Sequence, residues 1–266
     1  MKNFPIACQT ITFGEEQRHY FDEILPAVSA AGYDGVEIGF RHIREIPPER
    51  LHEMLEAHGI KLAATHVGGN LLDKEGASSE KSELDRVLDY ISVIGTKHIL
   101  YSGLDFHNAS QFSTDLDSLQ RAADQCRERQ IRLLYHNHDF EFADDWRIMR
   151  AILRGSTSLE LCPDLGWIYR SGVDVMMFLE EAVERIKAVH LKDFTSNNSD
   201  ARFTELGRGK VPLETSVKWL LANTEGMWVI LEQDTTELDP GESIRLNAEY
   251  GRKLLANSAT GRENLT

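Results

Sequence analysis

Short apolar runs, rich in β-branched and aromatic residues, alternate along the chain with stretches whose apolar residues recur every three or four positions. The runs predict eight strands: Pro5–Thr12, Gly35–Phe40, Leu62–Val67, His98–Gly103, Arg132–His138, Leu159–Asp164, Ile186–Asp193 and Trp228–Asp234. Most are nearly continuous in apolar character, as parallel strands buried on both faces are. Between them, Leu84, Val87, Leu88, Ile91 and Ile94 form one helical stripe. Leu119, Ala122, Ala123 and Cys126 form another within Ser118–Arg129, and Phe178, Leu179, Ala182 and Val183 a third. Gly32, Gly59, Gly95 and Gly155 stand where helices should end, since glycine accepts the left-handed cap conformation.

Eight β/α units with no Pro- or Ser-rich linker predict one closed (β/α)8 TIM barrel of the α/β class over residues 1–256. A loose polar tail is expected at 257–266. The 266 residues match the length of such a barrel, about 250. A doubly wound open sheet is the alternative; no Gly-x-Gly-x-x-Gly follows the first strand to favour it.

Composition narrows the function. Hydrophobic residues make up 41%, enough for a sizeable core, and the net charge is −14. Such a surface repels phosphate backbones, so no nucleic-acid partner is expected. No membrane partner is expected either, because no stretch approaches the roughly 18 apolar residues of a span. Nothing at the N-terminus reads as a signal peptide. Cys8, Cys126 and Cys162 are few and far apart, which suits packing in a reducing compartment, and a cytoplasmic protein is expected. Assembly as a homo-oligomer is left open.

Active sites of these barrels lie at the C-terminal strand ends, and here those ends are crowded with ionisable groups. They offer Glu37 with Arg41 and His42, His66 before Asn70, Asp105 and His107, His136 through Glu141, Asp164, His190 with Lys192 and Asp193, and Glu232 with Asp234. An unpaired buried charge costs several kcal/mol, so carboxylates and imidazoles converging on one mouth suggest a shared cation. Oxygen and nitrogen donors suit one divalent metal ion: Mn, Mg, Co or Zn. Blander readings stand beside these. Asp164 is also a good helix N-cap, His190 a satisfied barrel histidine, and Lys192–Asp193 a surface ion pair. Arg41, His42 and His107 read as solvated loop residues, and Trp146, Trp219 and Trp228 as packing.

Four segments carry a resemblance: Tyr135-His136-Asn137-His138-Asp139-Phe140-Glu141-Phe142, Cys162-Pro163-Asp164-Leu165-Gly166-Trp167, Val189-His190-Leu191-Lys192-Asp193 and Ile230-Leu231-Glu232-Gln233-Asp234. With the turn Leu206-Gly207-Arg208-Gly209-Lys210-Val211, they resemble the sugar phosphate isomerase/epimerase family of xylose isomerase-like TIM barrels. The resemblance implies one metal held from strands five to eight. Asp164, His190 and Glu232 match the pattern; at strand five the family's Glu is placed at Glu141, with His136 as the substitute. Trp167 stands where many relatives have His.

The expected activity is a metal-dependent sugar isomerase or epimerase working through proton abstraction and an enediolate. Glu141, Glu232, His138 and Lys192 are the candidate catalytic residues, and Glu37, His66, His136 and Trp167 the candidate contacts to a small carbohydrate. One alternative is a lyase of the inosose dehydratase or 3-keto-glycoside type on the same metal site. Another is a non-catalytic sugar-binding protein, which needs aromatic platforms but no ligand quartet. A DNA-repair endonuclease on this barrel is opposed by the acidic charge.

Overall fold

The computed structural model describes residues 4–69, 71–72, 82–104 and 108–260. Eight parallel strands form a nearly closed barrel: β1 Ile6–Gln9, β2 Gly35–Gly39, β3 Lys61–Val67, β4 His98–Tyr101, β5 Arg132–Tyr135, β6 Leu159–Leu161, β7 Ala188–Leu191 and β8 Trp228–Leu231. Each strand pairs with its neighbours in chain order, and β8 returns to pair with β1. The seam between β6 and β7 is spanned by two isolated bridges, Leu161–Ile186 and Asp164–His190. Pro163, which has no N–H to donate, lies between them.

Every strand except β3 is shorter than its apolar run, and most ladders stop near where the side chains become polar. The chain nonetheless keeps its direction there. His136 N–H donates to Tyr101 O (2.8 Å), Cys162 N–H to Tyr135 O (2.9 Å) and Glu232 N–H to Leu191 O (3.0 Å). The two-residue period of a strand therefore continues past the ladder. Ala7, Ala63, Ala64, Leu100, Leu134, Cys162, Ala188 and Ile230 form a small apolar cluster of their own. Two residues further along four of these strands stand His136, Asp164, His190 and Glu232. The alternate residues, such as Ile6, Cys8, Val36, Ile38, Val189 and Leu191, join the larger core shared with the helices.

The helical stripes fall where the spacing puts them. Helix Glu83–Ile94 buries Leu84, Val87, Leu88 and Ile91. It begins with a reciprocal Ser82–Asp85 capping box and ends at Gly95 with φ +85°. Gly32 and Gly59 are also left-handed, whereas Gly155 is extended (φ −79°) and closes its helix without that motif. The stripe at Ser118–Arg129 is only the second half of a longer helix, Ala109–Glu128. The final helix, Pro240–Thr260, carries the chain past residue 256, so Asn257–Thr260 are helical rather than a loose tail. Among the described residues no helix is long and apolar enough to cross a membrane.

One close approach fixes the mouth. The short helix Leu165–Arg170 packs against β7 so tightly that a Cβ at Gly166 would lie 2.8 Å from both Lys192 Cβ and Lys192 O. Gly166→Ala is expected to destabilise the fold by about 1–3 kcal/mol through overpacking. The check is a lowered urea midpoint with an unchanged m-value.

Candidate active site

The C-terminal mouth gathers most of the strand-end residues into one buried network. His190 lies at its centre, fully buried, with Nδ1 2.6 Å from Glu232 Oε2 and Nε2 2.6 Å from Glu37 Oε2. Burial opposes the imidazolium, but Glu37, Cys162 and Glu232 outweigh it and raise the pKa well above that of free histidine. Lys192, 1% exposed, reaches Asp234 Oδ2 at 3.0 Å, with Asp164 Oδ2 and Glu232 Oε2 each at 3.3 Å. Burial likewise works against its charge and is overcome by Asp164, Glu232 and Asp234, so the ammonium persists. The ion pair is therefore internal; a surface Lys192–Asp193 pair is not what forms.

The carboxylates divide unequally around these cations. Burial pushes the Asp164 carboxyl up to about 6 and, with help from Glu232, Asp234 up to about 7. Glu232 stays well below the usual carboxylate range, because Lys192 and His190 overcome its burial. His136 is held neutral by burial and by neighbouring His190, and His138 is lowered to about 4 by burial and then Lys192.

One ligand atom from each of His136, Asp164, His190 and Glu232 lies within 4.8 Å of the others. Of the buried polar atoms around them, His136 Nδ1 makes no hydrogen bond, and Asp164 Oδ2 has only the Lys192 ammonium at 3.3 Å. Unpaired buried polar atoms are costly. Two nitrogen donors and two carboxylates at one point, one nitrogen without a partner, fit a divalent cation of the borderline or hard class.

Glu141 is not part of that group. The chain leaves β5 in a one-turn 3-10 segment, Phe140–Phe142, which turns Glu141 back under the loop. Its carboxylate accepts from Tyr135 Oη (2.9 Å) and from the backbone N–H of His138 (2.7 Å). Fully buried, it has its pKa raised to about 7. The strand-five donor that joins Asp164, His190 and Glu232 is His136. Glu141 instead holds the backbone of His138, whose ring stacks on Phe140 at 5.8 Å between centroids.

The remaining candidates fall in place around this centre. His66 Nε2 meets Ser102 Oγ at 2.9 Å, and its Nδ1 lies 3.7 Å from Glu37 Oε1. Trp167 lies at the mouth, with Lys192 Nζ 4.7 Å from a ring centroid. Asp164 does cap a helix, accepting from Trp167 N–H at 3.0 Å through Oδ1, while its Oδ2 faces Lys192 Nζ. His42 is buried rather than solvated, 3.7 Å from Glu15. Asn70, Asp105 and His107 lie outside the described residues.

Sequence reasoning passed over Gln9, Asn137, Cys162 and Asp234 as site residues. Gln9 Nε2 approaches Glu37 Oε1 at 3.5 Å, and Asn137 Oδ1 accepts from Asp164 N–H at 3.1 Å. For Gln9, Cys162 and Asp234 the signal was the strand period, two residues from Ala7, Asp164 and Glu232 respectively. Asp193 does structural work that its neighbour's chemistry needs. Its carboxylate accepts from the N–H groups of Phe194, Gly207, Gly209 and Val211 at 2.9–3.1 Å, which folds the Gly-rich turn over the mouth. A Cβ at Gly209 would lie 2.1 Å from Asp193 Oδ1.

Beside His66 and Ser102 opens a cavity of about 330 Å³. Larger depressions of about 530 and 820 Å³ lie at the opposite end of the barrel, around His98 and Trp228, away from the carboxylate–imidazole network.

With this geometry in view, the similarities are informative. A family model described as xylose isomerase-like TIM barrel matches residues 25–254. An inosose dehydratase of Clostridium perfringens is 24% identical over 257 residues, covering 84% of this chain and 86% of that protein. Two solved structures superpose with TM-scores of 0.75. One is the IolI protein with a bound zinc atom, 15% identical over 96% of this chain and 99% of its own. The other is a xylose isomerase-like TIM-barrel protein of Mycobacterium smegmatis in complex with magnesium, 14% identical over 97% and 99%. At these identities the structural likeness speaks for the fold.

The choice between the two strand-five residues can be measured. His136→Ala is expected to weaken Mn²⁺ binding in calorimetric titration by at least about tenfold. Glu141→Gln, at a residue that meets Tyr135 and His138 but none of the four grouped donors' atoms by hydrogen bond, is expected to leave affinity closer to the parent. The reverse order would return Glu141 to the ligand set.

Proposed function

The chain belongs to the xylose isomerase-like TIM-barrel family, and on that premise we propose that it is a divalent-metal-dependent enzyme of small carbohydrates. Its substrate is a keto sugar or keto cyclitol, from which it removes the proton beside the carbonyl and then expels a β-oxygen. The observation that carries this reading is the convergence of His136, Asp164, His190 and Glu232, with His136 Nδ1 lacking a hydrogen-bond partner, beside a buried ammonium. His136, Asp164, His190 and Glu232 would hold the ion, which when bound supplies a Lewis acid for substrate oxygens. Zinc and magnesium, the ions of the two structural neighbours, both accept such donors.

The chain's own groups divide the proton work. His138 is partly exposed at the mouth and neutral, so its ring can accept a proton. Glu141 fixes the His138 backbone from below. Lys192, locked in its charged form, favours negative charge developing on a substrate oxygen and does not itself give up a proton. Asp234, with its pKa pushed up to about 7 and partly exposed, can hold a proton for a departing oxygen. Trp167 offers an aromatic face beside Lys192 for a sugar ring.

Isomerisation and epimerisation share the first step but return the proton to carbon. Elimination is preferred here because it needs an acid for the leaving oxygen, the role that Asp234 fits, and because the curated relative is a dehydratase. The non-catalytic sugar-binding alternative leaves the buried ammonium and the unpaired His136 Nδ1 without a purpose.

The test is metal-loaded protein incubated with keto sugars and keto cyclitols in deuterated water. Deuterium should enter the carbon beside the carbonyl, and Glu232→Gln should slow that exchange at least about a hundredfold. A product lighter by one water marks dehydration, and one of unchanged composition marks isomerisation. Turnover without exchange would overturn proton abstraction.

A further inference from the structure

We propose that the chain carries a second, deeper metal site, formed by His136, Cys162 and His190, which captures thiophilic ions and excludes an ion from the quartet above it. The inference rests on the reading of His136, Asp164, His190 and Glu232 as the working metal site. One ligand atom each from His136, Cys162 and His190 lies within 4.8 Å of the others, the same span as in the quartet. All three residues are buried, Cys162 and His190 completely. The two imidazole rings are 4.4 Å apart between centroids.

Depth follows from the strand period. Cys162 stands two residues before Asp164 and packs in the inner apolar cluster with Leu134, Ala188 and Ile230. Asp164 and Glu232 stand above that layer. The two donor sets therefore share both imidazoles and differ in what lies on either side: carboxylate oxygens toward the mouth, a thiol toward the barrel interior. Carboxylate donors select harder ions and thiolate selects softer ones. Because each imidazole is common to both sets, an ion held below removes two of the four donors needed above.

His190 is held by Glu232 at Nδ1 and by Glu37 at Nε2, so one of these contacts gives way when its ring ligates. Cys162 forms no disulfide, and His136 Nδ1 has no hydrogen-bond partner to lose. Capture by Cd²⁺ forms one sulfur–cadmium bond and two nitrogen–cadmium bonds; it breaks the S–H bond of Cys162 and one N–H bond of the His190 imidazolium. Both protons leave to solvent, and neither sulfur nor metal changes oxidation state. Two imidazoles and a thiolate also match the trigonal donor set that holds copper in other proteins.

Titration of the whole chain with Cd²⁺ alone tests the site through the sulfur-to-cadmium charge-transfer absorbance in the ultraviolet. The band is expected in the parent, in Cys8→Ser and in Cys126→Ser, and is expected to be lost in Cys162→Ser, with circular dichroism confirming that each variant is folded. In parent protein preloaded with Mn²⁺, Cd²⁺ should release the Mn²⁺, seen as the free-ion signal in electron paramagnetic resonance. No band in the parent, a band that survives in Cys162→Ser, or Cd²⁺ binding that leaves Mn²⁺ in place would each overturn the proposal. Asp164→Asn separates the two readings. It should weaken Mn²⁺ binding while leaving the cadmium band; unchanged Mn²⁺ affinity in that variant defeats the quartet, whereas the dependence of the band on Cys162 belongs to the deeper set alone.

Discussion

Everything at the mouth depends on how a dry barrel balances negative charge. Glu37, Asp164 and Glu232 are 0–6% exposed, in a place where an unpaired ion costs several kcal/mol. His190 and Lys192 are the cations that answer them, one between Glu37 and Glu232, the other among Asp164, Glu232 and Asp234. Two cations facing four carboxylates leave an excess of negative charge. Protons on Asp164 and Asp234 can absorb it, and this is the sense in which burial raises both. A divalent cation held by Asp164 and a neutral His190 would answer the same carboxylates in place of these protons.

That balance survives only if the groups cannot drift apart, and the surrounding backbone sees to this. Asn137 ties the end of β5 to Asp164, exchanging hydrogen bonds with its N–H and carbonyl. Asp193 gathers three N–H groups from the Gly-rich turn, with that of its neighbour Phe194, and so fixes the strand that carries His190 and Lys192. Gly166 lets the helix capped by Asp164 rest directly on Lys192. These residues touch no substrate in the proposed chemistry. They are neighbours in sequence of residues that do, because a strand end of a few residues must both position a ligand and anchor it.

The eight strands were legible because parallel barrel strands are apolar on both faces, and strand order followed from β/α alternation. Strand lengths were overestimated at the mouth, where inward polar residues keep strand direction without full ladder pairing. Asp164, His190 and Glu232 were legible because each directly follows an apolar run. The position of Glu141 was not, since the nearest Glu after β5 was expected to face inward. The 3-10 turn at Phe140–Phe142 reverses that orientation, and no spacing rule announces such a turn. Glu37 was expected only as a contact to substrate; its pairing with His190 spans the barrel and depends on closure.

Placing His136 in the strand-five position changes the character of the centre. A carboxylate there would add a negative charge to a network already rich in it, whereas an imidazole, held neutral by burial, adds a donor and no charge. Glu37 then supplies the negative charge from the other side of the barrel, acting on His190 rather than on the ion. A carboxylate hydrogen-bonded to the far nitrogen of a ligating histidine fixes its ring and raises its basicity. The exchange of an anionic donor for a neutral one thus shifts the donor set from oxygen toward nitrogen and brings both imidazoles over the Cys162 thiol. On the proposed reading, such a centre would be less committed to the hardest ions than a site of carboxylates. Its selectivity would rest on Asp164 and Glu232 standing one strand period above the apolar layer to which the Cys162 thiol itself belongs.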